Sequence, residues 1–261
     1  VRSIYPSFFL SYYPETSFYP YMNYDVNRYS GFDFQIDYKK QIGQVLLEAG
    51  VSGTFVSTKV LKRDELYADS YQNRQGKPVD AIFGLKNSGF FMDNDQINQS
   101  SAQKFGELRP GDIRYIDQND DKIIADRDEV MLGKWNAPFT FGVHLSATWN
   151  NFSLYAFLNG QFGGTGVKHS EYYWVYGDRK YAELVRDSWT ESNKQTAKYP
   201  RLSTLSGANN FRYSDFWTYS TNHVSLAHVQ LTYNLPERLF AGKGIKGVSV
   251  YVGGYNLLMM G

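Results

Sequence analysis

Two eleven-residue segments separated by only two residues constrain this chain more than any other feature. From Phe139 to Trp149, the residues Phe139, Phe141, Val143, Leu145, Ala147 and Trp149 fall on one face of an extended strand. Thr140, Gly142, His144, Ser146 and Thr148 take the other face. After Asn150-Asn151, the segment Phe152 to Phe162 alternates again, with Phe152, Leu154, Ala156, Leu158 and Phe162 on its apolar face. A period of two belongs to a β-strand, because successive side chains of a pleated strand point to opposite sides. Eleven residues also match the roughly 9–11 that cross a bilayer at a tilt. Aromatic residues stand at the ends of both segments, where a membrane strand meets the two interfaces.

Two further pairs follow the same plan. Phe32, Phe34, Ile36 and Tyr38 alternate with Asp33, Gln35, Asp37 and Lys39. A tight turn at Gln41-Ile42-Gly43 leads into Gln44 to Ser57, with Val45, Leu47, Ala49, Val51 and Phe55 on one side. Near the end, Val229, Leu231, Tyr233 and Leu235 alternate with polar residues, and Val248, Val250 and Val252 do so again. Val224 and Leu226 are out of parity with Val229, which predicts a β-bulge near Ala227-His228. The turns near 41–43, 150–151 and 236–247 are short, whereas segments 58–138 and 163–223 are long. In a six-stranded meander every short turn then falls at one end and both long connections at the other. Outer-membrane barrels have this asymmetry, with short periplasmic turns and long extracellular loops. The expected fold is an all-β, antiparallel, up-and-down transmembrane β-barrel in part. Six strands cannot close a membrane barrel, for which about eight is the smallest number. Residues 1–261 are therefore read as a fragment. Val1 to Pro6 carry no secretory signal, and the chain stops on the apolar run Leu257 to Met260.

Composition removes other classes. A formal charge of +1 argues against a nucleic-acid partner. The absence of cysteine excludes disulfide scaffolds, zinc ribbons and cysteine catalysis. A mean hydropathy of −0.47, without a long apolar run, excludes a transmembrane helix. It leaves a barrel open, because alternating strands average out as hydrophilic.

The motif with most chemistry is the acidic loop from Asp117 to Asp128. Asp117, Asn119, Asp121 and Asp128 occupy positions 1, 3, 5 and 12 of a twelve-residue loop, and Ile123 at position 7 would offer a carbonyl. Short oxygen-bearing side chains two apart can converge on one hard cation, so calcium is a candidate ligand. The same residues also suit a solvated turn held by Asx hydrogen bonds. Lys122 stands where a calcium loop has glycine, and Asp128 where it has glutamate. Tyr172, Tyr173, Trp174 and Tyr176 form an aromatic cluster that could stack on a substrate or fold its own loop. Asp178 to Trp189 has helical spacing, with Asp178 as its N-cap. His144, His169, His223 and His228 have no metal-binding spacing, and His144 on a polar strand face suits a pore lining. No nucleophile elbow, phosphate loop or zinc-protease motif is present, so no catalytic residue is expected.

The residues also carry a resemblance. Pro110-Gly111-Asp112-Ile113, continuing through Ile124, then Asp126 to Gly133, then Pro138 to Gly142, resemble the C-terminal region of the SusC/RagA family of TonB-dependent outer-membrane transporters. Asn27 to Asp33, Tyr199-Pro200-Arg201-Leu202, Ser214 to Trp217, Tyr233 to Pro236 and Val250 to Leu257 extend the likeness in order. Asp120 and Lys122 replace glycines of the family pattern. The resemblance implies a 22-stranded barrel with an N-terminal plug, of which the plug and final strand would lie outside this chain. It implies a SusD-like surface lipoprotein, TonB and outer-membrane lipid as partners. It implies import of oligosaccharides or peptides across the outer membrane of a Gram-negative, Bacteroidetes-like bacterium. Two other classes compete from the residues alone. One is a soluble, calcium-stabilised, glycan-binding β-sandwich, and the other is an extracellular glycan hydrolase.

Overall fold

The computed structural model describes residues 2–3, 21–204, 207–240, 244 and 247–261. The connection expected at 236–247 and the expected chain start at Val1 to Pro6 fall partly outside these residues. The chain divides into two compact units. One contains Tyr29–Ser57, Asn136–Gly164 and Ser220–Gly261; the other contains Val1–Arg28, Thr58–Trp135 and Thr165–Tyr219.

The first unit is built on a six-stranded sheet. Its strands are β1 (Val26–Ile42), β2 (Val45–Lys62), β3 (Phe139–Trp149), β4 (Phe152–Phe162), β5 (His223–Asn234) and β6 (Ser249–Met260). They pair strictly in chain order, as a meander requires. β3 and β4 coincide with the two alternating segments read from sequence. Gly43 makes the first hairpin turn at φ +58°, a conformation that favours glycine, and Asn150 makes the second at φ +49°. Among the described residues no helix is long and apolar enough to cross a membrane.

Register decides which side chains share a face. Residues directly opposite on antiparallel strands lie on the same side of the sheet. Val45, Trp149, Phe152, Tyr233 and Val250 form one row across five strands. Leu47, Ala147, Leu154, Leu231 and Val252 form the next. Val51, Val143, Leu158, Leu226 and Leu258 lie further along, and Phe55, Phe139 and Phe162 close the far end. This face is apolar throughout and open: Leu145 is 47% exposed and Leu154 is 48% exposed. Its two ends are aromatic. Phe152 meets Tyr233 at 4.6 Å at one end. Phe139, Phe141 and Phe162 stack at 5.8–6.5 Å at the other. About ten residue steps separate the ends, or about 33 Å along the strand; at the usual barrel tilt that gives a band about 25 Å tall.

The opposite face is polar. His144 Nε2 lies 3.6 Å from Asp37 Oδ1 across the intervening β2, where Gly50 leaves room for both side chains. Lys39 pairs with Glu48. Tyr155 meets His228 tilted at 5.6 Å, and His228 stacks on Tyr255 at 4.4 Å. Phe157 lies over Gly142, 3.1 Å from where a Cβ would be. His144, Ser146, Tyr155 and Asn159 therefore stand on one face, and Phe141, Val143, Leu145, Leu154 and Leu158 on the other. The bulge appears where parity broke. On β4, Phe157 faces His228 and Leu158 faces Leu226, which leaves Ala227 without an opposite residue.

The second unit has a core of its own. Ile82, Leu85, Phe90, Phe105, Ile113, Tyr115, Val175, Val185, Trp189, Tyr199 and Trp217 pack together, drawing on both long segments. Short two-stranded pieces frame it: Ala81–Gly84 with Val130–Lys134, Asn87–Phe90 with Ile113–Tyr115, and Thr165–Val167 with Thr218–Ser220. One short helix, α1 (Asn94–Gln99), is capped by Asp93 Oδ1, which accepts from the Gln96 amide at 2.8 Å. Buried polar groups join the segments. Asp112 forms an ion pair with Arg201, accepting from its Nη2 at 3.1 Å, and accepts from Asn210 Nδ2 at 2.8 Å. Asn210 Oδ1 accepts from the Ile113 amide, and Gln103 donates to Asn209.

The helix expected over Asp178 to Trp189 is not formed. Only Glu183–Asp187 coils, as a 3-10 turn that follows Ala182, and Asp178 caps nothing. Tertiary contacts outweigh the local periodicity. Arg179 turns back to donate to the Trp174 carbonyl at 2.9 Å and stacks on Tyr176. Ser188 is drawn into a bridge with Tyr199 while Val185 and Trp189 are buried in the core.

Candidate functional site: an aromatic and arginine-lined groove

The acidic loop is held by its own backbone. Asp117 Oδ2 accepts from the Ser101 hydroxyl at 2.8 Å and the Lys122 amide at 2.9 Å. Asn119 Oδ1 accepts from the Asp121 amide, and Asp121 Oδ1 from the Ile123 amide. Asp128 is fully buried, and its two oxygens accept from the amides of Gln118 and Ala125 at 2.7 and 2.8 Å. This is a chain of Asx turns closed by a buried carboxylate. Among the described residues no three histidine or acidic side chains gather as a metal's donors would. The five expected ligand positions are thus near in sequence but committed mostly to amides. Asp120 at φ +60° and Lys122 at φ +67° adopt left-handed backbone at the positions where the family pattern has glycine.

The aromatic cluster divides. Tyr173 accepts from the Tyr199 hydroxyl through its carbonyl, and its ring packs on the core. Trp174 lies among Phe211, Tyr213 and Trp217 at 6.1–6.3 Å. Tyr176 stacks on Phe211 at 5.2 Å. Tyr172 alone of the four is well exposed.

Trp174 also leads to a groove. His169 is ringed by Trp135, Trp174 and Tyr213 at 5.8–6.5 Å. Trp135 and Tyr213 in turn line a hollow of about 650 Å³, together with Arg74, Phe83, Glu129, Phe211 and Arg212. A neighbouring hollow of about 510 Å³ is lined by Leu66, Tyr67, Gln72, Asp126 and Arg127. The two share Arg74, Phe83 and Glu129, so they form one elongated groove with Phe83 as its floor.

Local chemistry fixes this floor. Glu65 accepts from the amides of Arg74 and Gln75 at 2.8–3.0 Å and so locks the turn that carries Arg74. The Arg74 guanidinium then lies 4.4 Å over the Phe83 ring, with Lys77 Nζ at 4.6 Å. Burial pushes the Lys77 amine down. Tyr71 donates to the Arg127 carbonyl at 2.8 Å, and Gln72 to that of Asp126 at 3.1 Å. Burial, then the charges of Asp69 and Asp128, push the Tyr71 hydroxyl up to about 12. Burial and the charge of Asp126 raise the Glu129 carboxyl, against the pull of Arg212 and Arg74. Arg212 donates to Asp126 at 3.2 Å and lies 3.6 Å over Phe105. Sequence reasoning named Trp174 but none of the groove's own residues. They come from residues 66–83, 126–135 and 208–213, and no spacing links these segments.

No protein-family model matches the sequence. The TonB-dependent receptor P26 of Formosa agariphila is 28% identical over 190 residues, which cover 70% of this chain and 18% of that protein. The TonB-dependent receptor P3 of the same organism is 24% identical over 185 residues, covering 71% of this chain and 18% of the relative. The chain thus spans less than a fifth of the length of these curated relatives. In fold, the RagAB peptide importer in its open-open state matches with a TM-score of 0.67 at 18% identity, over 91% of this chain and 26% of that one. Its closed-closed state matches with the same score at 20% identity, over 97% and 28%. These relatives are described as receptors and importers rather than enzymes. Sequence likeness to TonB-dependent receptors and fold likeness to the RagAB importer bear out the resemblance of this chain to SusC/RagA-type TonB-dependent transporters.

Proposed function

We propose that this chain supplies part of the barrel wall and two long extracellular segments of an outer-membrane transporter. The transporter imports oligosaccharides or peptides, is energised by TonB, and works with a SusD-like surface lipoprotein. The observation that carries this reading is the two-faced sheet. An apolar face left open to solvent would be a liability in a soluble protein. The same face, framed by aromatics about 25 Å apart, suits a hydrocarbon layer with both interfaces. The β-sandwich alternative would need a second sheet over that face, and among the described residues the six strands form a single sheet. Relatives described as TonB-dependent receptors support the energy source, and the two-component RagAB importers support the partner type.

The test uses the full-length protein in its native host. It should fractionate with the outer membrane, and growth on its substrate should require both the protein and TonB. Recovery in the soluble fraction, or growth that survives loss of TonB, would defeat the proposal.

A further inference from the structure

We infer that the groove over Phe83 recognises an oligosaccharide carrying carboxylate groups, an inference that rests on the importer reading above. Three features meet there. The first is shape: two hollows share one floor, and each lies within the size range of small-ligand sites. The second is open ring surface. Tyr67, Trp135 and Tyr213 line the groove and each keeps over a third of its surface exposed. Such rings are platforms for the C–H faces of sugars. The third is charge. Arg74, Arg127 and Arg212 line the groove against Asp126 and Glu129, and Asp126 is already engaged by Arg212.

The guanidinium groups suit an oxyanion on the sugar, here its carboxylate. The Arg74 guanidinium sits 4.4 Å over the Phe83 ring, and its Nη1 donates to the Ala81 carbonyl at 3.5 Å, which holds the group at the groove. A planar fork of this kind pairs with a carboxylate through two parallel hydrogen bonds. The Arg127 side chain is 69% exposed, and its nearest acidic partner, Asp121, is 3.8 Å away. It therefore stays available to a ligand. Peptides held by strand addition are bound along one main-chain edge. This groove instead presents rings and guanidinium groups from three separate segments, which favours a sugar chain.

Calorimetry on the purified full-length transporter tests the inference with four probes: tetragalacturonate, its methyl ester, maltotetraose and tetraglutamate. Tetragalacturonate should bind roughly tenfold tighter than its ester, as the loss of one charge-assisted contact implies. Salt should erode that advantage. Arg127→Gln and Arg74→Gln should each weaken acid binding more than ester binding and so shrink the acid-over-ester ratio, whereas Trp135→Ala should weaken both alike. Equal binding of acid and ester, or an Arg127→Gln variant that binds acid as the parent does, would overturn the inference. So would binding of tetraglutamate without tetragalacturonate. If the protein sits in the outer membrane and shows TonB-dependent uptake but ignores all carboxylated sugars, this inference fails alone. If that uptake is itself missing, the importer reading fails with it.

Discussion

Asp117 and Glu129 lie twelve positions apart on one acidic stretch, and their surroundings move them in opposite directions. Burial favours the neutral form of both. At Asp117 the Ser101 hydroxyl and the amides of Lys122, Asp120 and Asn119 outweigh it, and the carboxyl is held below its ordinary 3.8. At Glu129 burial prevails, aided by Asp126, and the carboxyl is held above its ordinary 4.5. The signs follow by linkage. Ionised Asp117 stabilises the fold at neutral pH, and that contribution is lost as pH falls through its depressed value. Asp117→Asn should therefore melt earlier than the parent at pH 7, with the gap closing below about pH 4. With Glu129 neutral, below its ordinary range, the fold keeps its full stability, and part of it is lost as pH rises through the raised value. Glu129→Gln should melt later than the parent at pH 7 and alike near pH 4. Thermal melts across pH measure both. Lys122 belongs to the same loop. A side chain in left-handed backbone costs about 1–2 kcal/mol and glycine's extra entropy about 0.5–1 kcal/mol, so Lys122→Gly should gain up to about 1.5 kcal/mol. Because most of the loop's oxygens already accept from amides, adding calcium should leave the melting temperature unchanged; a rise of several degrees would show that Asp117, whose Oδ1 is buried without a partner, and its neighbours turn to the ion. The spacing of acids was legible in sequence, but what they bond to was not, because Asx turns and calcium loops use the same residue types.

At the scale of elements, the sheet was legible and the groove was not, for one physical reason. Strand faces repeat every two residues, so Phe139 to Trp149 and Phe152 to Phe162 declare their own register without help from distant residues. Even the bulge at Ala227 shows as a slip in that parity between Leu226 and Val229. Asp178 to Trp189 has an equally clear period and yet does not form a helix. Its pattern is short, and Arg179, Ser188 and Trp189 each find a partner outside the segment that the period cannot encode. The sheet's two faces make the strongest prediction. Leu145 stands midway between the aromatic ends of β3, and arginine there should cost about 2–4 kcal/mol of folding free energy in a bilayer. Arginine at Trp149, near an interface, should cost about 0–1 kcal/mol. Urea titrations of the full-length protein in lipid vesicles would measure both. If Leu145→Arg proved harmless while His144→Arg blocked insertion, the assignment of faces would be inverted.

For the molecule as a whole, the two long segments are not two independent loops. Residues from Thr58–Trp135 and Thr165–Tyr219 share one core, and the polar centre of that core lies between them. Asp112, 1% exposed, comes from the first segment; Arg201 and Asn210, which bond it, come from the second. Trp217 then donates to the Asn210 carbonyl at 2.8 Å, and Tyr115 to that of Asn209 at 2.7 Å. In sequence, Asn209-Asn210 looks like a plain turn, and nothing local marks it as the partner of Asp112 or Gln103. A buried ion pair with every oxygen satisfied is costly to break from one side, because the remaining charge is left without its partner. Asp112→Ala should therefore cost about 3–5 kcal/mol in this unit. Since one core serves both segments, the loss should be shared. Limited proteolysis of the variant should open sites in 63–135 and 165–219 at the same rate, while the strands of the sheet remain protected. Cleavage confined to the first segment would mean that the segments fold separately, and the buried Asp112–Arg201 pair would then be a local contact rather than the joint that makes one body of two distant stretches of chain.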